Sequence, residues 1–119
     1  MTTRRTFTKA LALSPLMLSN LRDALAQAKY PAKQIQMVVG FPPGQSSDIG
    51  ARHIAKQMTD VLKQTFYVEN KPGAATIIGH QYLKAATPHG YTIGFSTTGP
   101  LAINPTLYKK LPYDPQTDF

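Results

Sequence analysis

The feature that most constrains this chain is an apolar run that ends abruptly in two prolines and a glycine. Met37-Val38-Val39-Gly40-Phe41 carries no polar side chain, and Pro42-Pro43-Gly44 follows at once. A short run that is apolar at every position, rather than at alternate ones, is the pattern of a strand buried on both faces, as in parallel sheets covered by helices. The prolines remove two backbone donors and fix φ, while Gly44 opens conformations closed to other residues, so neither strand nor helix continues through them. Gln45-Ser46-Ser47-Asp48 then brings two hydroxyls and a carboxylate to the start of an amphipathic run. Phe41 to Asp48 therefore reads as a stiff polar elbow between a strand and a helix N-terminus. Such an elbow leaves backbone N–H groups without internal acceptors, and the helix dipole favours an anion there.

The rest of the chain repeats this alternation. Strand β1 is expected over Ile35 to Phe41, and helix α1 over Ile49 to Gln64. In α1, Ile54, Met58, Val61 and Leu62 recur at helical spacing beside Ala51 and Ala55, with Arg52, Lys56, Asp60 and Lys63 mostly elsewhere, and Ser46 or Ser47 is the expected N-cap. Strand β2 is expected over Phe66 to Glu69, closed by the turn Asn70-Lys71-Pro72-Gly73. Helix α2 follows over Thr76 to Ala86, where Ile78, Tyr82 and Ala85 share a face, and Pro88-His89-Gly90 breaks it. Strand β3, Tyr91 to Ser96, runs into the small polar segment Thr97-Thr98-Gly99-Pro100. Leu101 to Phe119 reads as a short helix or turn followed by an extended excursion. The order βαβαβ predicts an α/β fold with a three-layer, doubly wound parallel sheet. Right-handed crossovers leave two strand orders, chain order or β1 in the centre. With β1 central, the ends of β1 and β3 flank a topological switch point, and the elbow faces Ser96 to Pro100 across a crevice.

Residues 1–28 read as an export signal. Arg4-Arg5 with Phe7 resembles a twin-arginine n-region, with Thr8 where leucine is commoner; Ala10 to Leu21 is a broken apolar h-region, and Ala26-Gln27-Ala28 is a small-x-small cleavage site. Two arginines also serve the general secretory route, and either route leads out of the cytoplasm. Cleavage after Ala28 leaves a mature segment from residue 29 to 119. The formal charge of +7 shrinks with it, to nine basic against five acidic side chains. These are scattered, with no stripe interleaved with stacking aromatics, so nucleic acid is not an expected partner. The absence of cysteine excludes disulfides, thiol catalysis and a cysteine-ligated metal.

Ser46, Ser47, Asp48, His53, His80 and His89 supply every residue type of a hydrolytic triad, so a fragment of a secreted α/β enzyme such as a hydrolase is the alternative reading. Gly44-Gln45-Ser46-Ser47-Asp48 lacks the final glycine of a nucleophile elbow, and no catalytic residue is assigned. The three histidines have no metal-ligand spacing, and no metal or cofactor is expected. Lys109 and Lys110 read as a solvated pair, and Tyr82, Tyr91 and Tyr108 as core or rim residues.

Several motifs in register carry a family resemblance. They are Phe41 to Asp48, Val68-Glu69-Asn70-Lys71-Pro72-Gly73-Ala74, His89-Gly90-Tyr91-Thr92, Ala102-Ile103-Asn104-Pro105-Thr106-Leu107-Tyr108, Leu111-Pro112-Tyr113-Asp114 and Asp118-Phe119. The chain resembles the N-terminal part of the substrate-binding proteins of tripartite tricarboxylate transporters, the Bug family of extracytoplasmic receptors. The resemblance implies an incomplete first lobe of a type II periplasmic-binding-protein fold, with the second lobe absent. It implies a periplasmic receptor for a small carboxylate ligand that delivers it to membrane permease subunits, a task this truncated copy is not expected to complete alone. Matching the family's loops residue by residue, Pro43, Gly44, Ser46, Ser47 and Asp48 correspond to the first ligand loop, and Ser96, Thr97, Thr98 and Gly99 to the third-strand loop. Gln45, also placed in the site, stands where the family commonly has a second glycine. Asn70-Lys71-Pro72-Gly73 corresponds to a loop taken as a structural turn. Asp48 would repel an anion directly, so its expected role is to hold the N–H groups of its own loop or a water.

Overall fold

The computed structural model describes residues 30–119. The export signal expected over residues 1–28 lies outside the described residues.

Five elements form in the expected order. Strand β1 is Ile35–Val39, helix α1 Ser46–Leu62, strand β2 Phe66–Asn70, helix α2 Ile77–Ala85 and strand β3 Thr92–Phe95. The sheet is parallel with β1 in the centre: Met37 is paired with Val68 on one side and with Ile93 on the other. That arrangement settles the strand order that right-handed crossovers left open, and all five residues of β1 are buried. Side chains alternate between the two faces. Ile35, Met37 and Val39 pack with Ala51, Ala55 and Phe66 under α1, with Ile93 and Phe95 of β3 beside them. The opposite face belongs to α2. There Tyr82 donates from its hydroxyl to Gln36 Oε1 at 3.3 Å, and a Cβ on Gly79 would lie 3.0 Å from Gly40 Cα. Helices therefore cover both faces, in three layers.

The apolar stripe of α1 differs from expectation. Ala51 and Ala55 are buried and Met58 is partly so, but Ile54 is 42% exposed and Val61 77%. Small side chains let the helix axis approach the sheet, and the helix turns so that Asp48 joins the alanines on the inner stripe. Ile54 and Val61, seven residues apart and so on one side of the helix, are left on its flank. The N-cap also differs. It is Gln45, extended at φ −76° and ψ 163°, while Ser46 and Ser47 are the first helical residues and make no capping side-chain bond. The carboxylate of Asp48 reaches back to the loop instead.

The segment joining β2 to α2 is conformationally costly. Ala74, Ala75 and Thr76 all have positive φ, at 46°, 52° and 73°, a region that L-residues with a Cβ occupy at about 1–2 kcal/mol each. Thr76 is buried, and its Oγ1 has no hydrogen-bond partner. After β3, a π-turn over Gly99–Ile103 leads into helix α3, Asn104–Leu107. Asn104 Nδ2 donates to the Ala75 carbonyl at 3.1 Å, which anchors α3 to the strained turn. The excursion then returns so that Tyr113 is buried, its hydroxyl donating to the Pro100 carbonyl at 2.8 Å. Lys84 and Asp118 pair at 2.8 Å and fasten the last residues to α2.

Candidate carboxylate site at the C-terminal end of the sheet

In a parallel sheet, the loops that leave the carboxyl ends of the strands lie together, and here these are the elbow, the loop after β2 and the segment after β3. The first intrahelical bond of α1 runs from Ile49 N–H to the Gln45 carbonyl at 3.0 Å. The N–H groups of Ser46, Ser47 and Asp48 precede it and have no acceptor within the helix. Pro42, Pro43, Gly44, Gln45 and Ser46 are exposed and Ser47 is half-buried, so these donors sit at the surface. Gly44, with φ 85°, makes the turn that brings them there, and a Cβ on it would meet nothing within 4 Å. The glycine is required by backbone conformation and not by space.

Asp48 is buried at 2% exposure, and its carboxylate is fully engaged within the protein. Oδ2 accepts from Arg52 Nε at 3.0 Å and from Gly44 N–H at 2.9 Å, and Oδ1 accepts from Asn70 Nδ2 at 2.8 Å. Asn70 Nδ2 also donates to the Phe41 carbonyl at 3.0 Å, and its Oδ1 accepts from Arg52 Nη2, also at 3.0 Å. One carboxamide at the end of β2 thus ties down both ends of the elbow. The Arg52 guanidinium, then the Gly44 N–H and the Asn70 amide, hold the Asp48 carboxyl far below the ordinary carboxylate range, and Asp48 in turn raises the affinity of Arg52 for its proton. The negative charge is therefore fixed and neutralised on the inner side of the loop, leaving backbone donors on the outer side. Asp48 thus holds the Gly44 N–H of its own loop.

Register pairs Val39 with Phe95, so Gly40 and Ser96 are the next residues on adjacent strands. Ser96, Thr97 and Gly99 are half-buried and Thr98 is exposed. The structure brings this loop and the elbow to the same end of the sheet, on either side of the β1–β3 junction. Ser96 Oγ is bound to His80 Nε2 at 2.8 Å, and His80 Nδ1 to the Thr76 carbonyl at 2.9 Å. His80 is buried, stacked on Tyr113 at 5.0 Å between centroids and met edge-on by Phe119 at 5.7 Å. The other two histidines are remote from this contact in character: His53 is exposed and bonded to Gln57, and His89 is exposed in its turn. A concavity of about 710 Å³ lies elsewhere, among Leu101, Pro105, Tyr108, Leu111, Tyr113 and Pro115, and includes no elbow residue.

Three contributors escape a reading of the sequence. Arg52 stands four residues after Asp48, a spacing at which opposite charges meet on a helix, so its role was detectable. Asn70 lies 22 residues from Asp48 and joins it only because β2 pairs with β1. His80 lies off the face of Ile78, Tyr82 and Ala85 that was expected to be covered; α2 buries Gly79 and His80 instead and leaves those three exposed, and nothing in the local sequence of His80 points to Ser96.

The family described as the tripartite tricarboxylate transporter family receptor matches residues 50–119, the stretch that begins just after the elbow. Among solved structures, the periplasmic binding protein BugD is 40% identical, with a TM-score of 0.72 over 76% of this chain and 30% of its own. A Rhodopseudomonas palustris protein solved with adipate is 32% identical, with a TM-score of 0.71 over 75% of this chain and 30% of its own. MatC from Rhodopseudomonas palustris, solved with bound malate, is 31% identical, with a TM-score of 0.73 over 76% of this chain and 31% of its own. Curated relatives from Bordetella are 33% to 41% identical, and the chain spans between 26% and 33% of their length. BugD is a periplasmic binding protein, and the two Rhodopseudomonas palustris proteins were solved with the carboxylates adipate and malate. With more than half of its residues matched by the family and its three-stranded sheet superimposing on part of these receptors, the chain belongs to the tripartite tricarboxylate transporter receptor, or Bug, family.

Proposed function

We propose that this chain forms the carboxylate-accepting part of the first lobe of a periplasmic solute receptor, which serves the membrane permease of a tripartite tricarboxylate-type transporter. The observation that carries this reading is the division of labour at the elbow. Asp48 is consumed by Arg52, Asn70 and Gly44, so the exposed side of the loop offers N–H groups at a helix N-terminus, where a carboxylate is stabilised. Pro43, Gly44, Gln45, Ser46 and Ser47 shape that surface, Asp48 holds it from behind, and Ser96, Thr97, Thr98 and Gly99 form the opposite wall. Small dicarboxylates such as malate and adipate are the ligand class, by analogy with the solved relatives. Because the chain spans about a third of those relatives, closure around the ligand and delivery to the permease are assigned to a complete two-lobed protein.

The test completes the chain with the remaining length of a solved relative and titrates malate and adipate by calorimetry. Binding of either, lost on Gly44→Val, supports the reading. Absence of heat with both, in a chimera that folds, overturns it.

A further inference from the structure

The His80–Ser96 contact determines what kind of hydrogen-bonding group Ser96 offers to a ligand. A carbonyl oxygen can only accept, so the 2.9 Å contact with the Thr76 carbonyl requires the proton of the neutral imidazole to be on Nδ1. Nε2 is then a lone-pair acceptor, and the 2.8 Å contact with Ser96 Oγ is made by the serine proton. Stacking on Tyr113 and edge contact with Phe119 hold the ring, so this polarity is built into the fold. A serine hydroxyl has one proton and two lone pairs. Its proton being used, Ser96 presents only lone pairs beside Gly40, where the elbow begins.

We infer that Ser96 is an acceptor-only wall of the site, set by His80, and that it selects carboxylates carrying a hydroxyl or ammonium substituent over unsubstituted ones. This rests on the reading of the site given above. A carboxylate oxygen placed against Ser96 would face lone pairs, whereas a substituent O–H or N–H would satisfy them. His80 is thus a positioning residue that acts through Ser96. The pair is not arranged for acyl transfer, because the Nδ1 proton goes to a main-chain carbonyl and, among the described residues, no carboxylate backs the imidazole.

Two measurements decide the matter, the first on the full chain and the second on the completed chimera described above. Long-range ¹H–¹⁵N correlation at neutral pH reads the tautomer of His80, with Nδ1–H expected. An Nε2–H tautomer, or both nitrogens protonated, would return the serine proton to the ligand and overturn the inference. Millimolar NMR titration with malate, aspartate and succinate, followed at the Gly44 and Ser96 amides, should give Kd values about 3- to 10-fold lower for the two substituted acids, the worth of one hydrogen bond. In His80→Phe, which keeps the ring stack, and in Ser96→Ala, which removes the acceptor, that ratio should fall to about one. Equal or tighter binding of succinate by the wild type would also overturn the inference. Failure of all three acids to bind counts against the receptor reading, and the tautomer then decides the chemistry of Ser96 by itself.

Discussion

Two glycines on the two helices should respond in opposite ways to the same substitution. An exposed helical glycine changed to alanine gains about 0.8–1 kcal/mol, since alanine has the higher helix propensity. Gly50 in α1 is half-buried but has the room for it: an added Cβ would lie 3.6 Å from the edge of the Phe95 ring, an ordinary contact. Gly79 in α2 does not. Its Cβ would lie 3.0 Å from Gly40 Cα and 3.1 Å from the Lys71 carbonyl oxygen, and 3.5 Å from Gly40 N. All three are main-chain atoms of the residue just after β1 or of the loop after β2, so no side chain can rotate away. Carbon atoms pack best at about 3.5–4.0 Å, and relief requires α2 to lift from the sheet by about half an ångström. The lift strains Tyr82 to Gln36 and His80 to Ser96, both of which bridge the same gap. Overpacking of this kind costs about 1–3 kcal/mol, which outweighs the propensity gain and leaves Gly79→Ala less stable by about 1–2 kcal/mol. Urea unfolding followed by circular dichroism measures it: the midpoint should fall for Gly79→Ala and rise for Gly50→Ala at an unchanged m-value. A Gly79→Ala protein as stable as the wild type would refute the close helix–strand approach on which the α2 face is built.

Thr76→Gly should stabilise the protein by about 1–2 kcal/mol, because it relieves a left-handed residue and removes an unpaired buried hydroxyl, at about 0.4–1 kcal/mol of added chain entropy; a lower unfolding midpoint would show that the turn is not strained. Stability should also fall in acid. Asp48 and Asp118 are held below their ordinary value of 3.8 and Glu69 below 4.5, first by Arg52, Lys84 and Lys71 respectively, so the unfolded chain takes up protons before the folded one. Their contribution is complete above about pH 5 and is lost as pH falls through the lowered folded values. Urea midpoints from pH 6 to 3 should decline, and less steeply in Asp48→Asn; a flat profile would contradict the ion pairs. Gly44→Val places a β-branched residue at φ 85°, a strain of about 1–2 kcal/mol with no steric clash, so the fold should survive while carboxylate binding by the completed receptor is lost. Unchanged affinity would reduce the elbow to a turn.

Much of this molecule is legible in the order of its residues. Five runs with strand or helix periodicity appear as elements within three residues of their expected ends, because period and punctuation are local properties that short-range sterics enforce. The elbow is legible for the same reason, since Pro42, Pro43 and Gly44 act on their own backbone. That Asp48 would act only indirectly on an anion is likewise an expectation read from its sign, since a carboxylate repels one.

What faces what is a different matter. The large side chains of α1 suggested a stripe through Ile54 and Val61, yet the helix buries Ala51, Ala55 and Asp48, because close approach to the sheet and the bonds offered by Asn70 and Gly44 outweigh apolar area on one flank. Right-handed crossovers allowed two strand orders, and only the packed sheet places β1 between β2 and β3. Asn70 passed for a turn residue until β2 lay beside β1. His80 acquires a role only when α2 crosses the sheet above Ser96. The sequence by itself determined the elements and the donor-rich elbow, which depend on neighbours along the chain. The tertiary structure alone decided which partners neutralise Asp48 and that Ser96 is bonded to His80, since those bonds join residues brought together by strand pairing and helix packing.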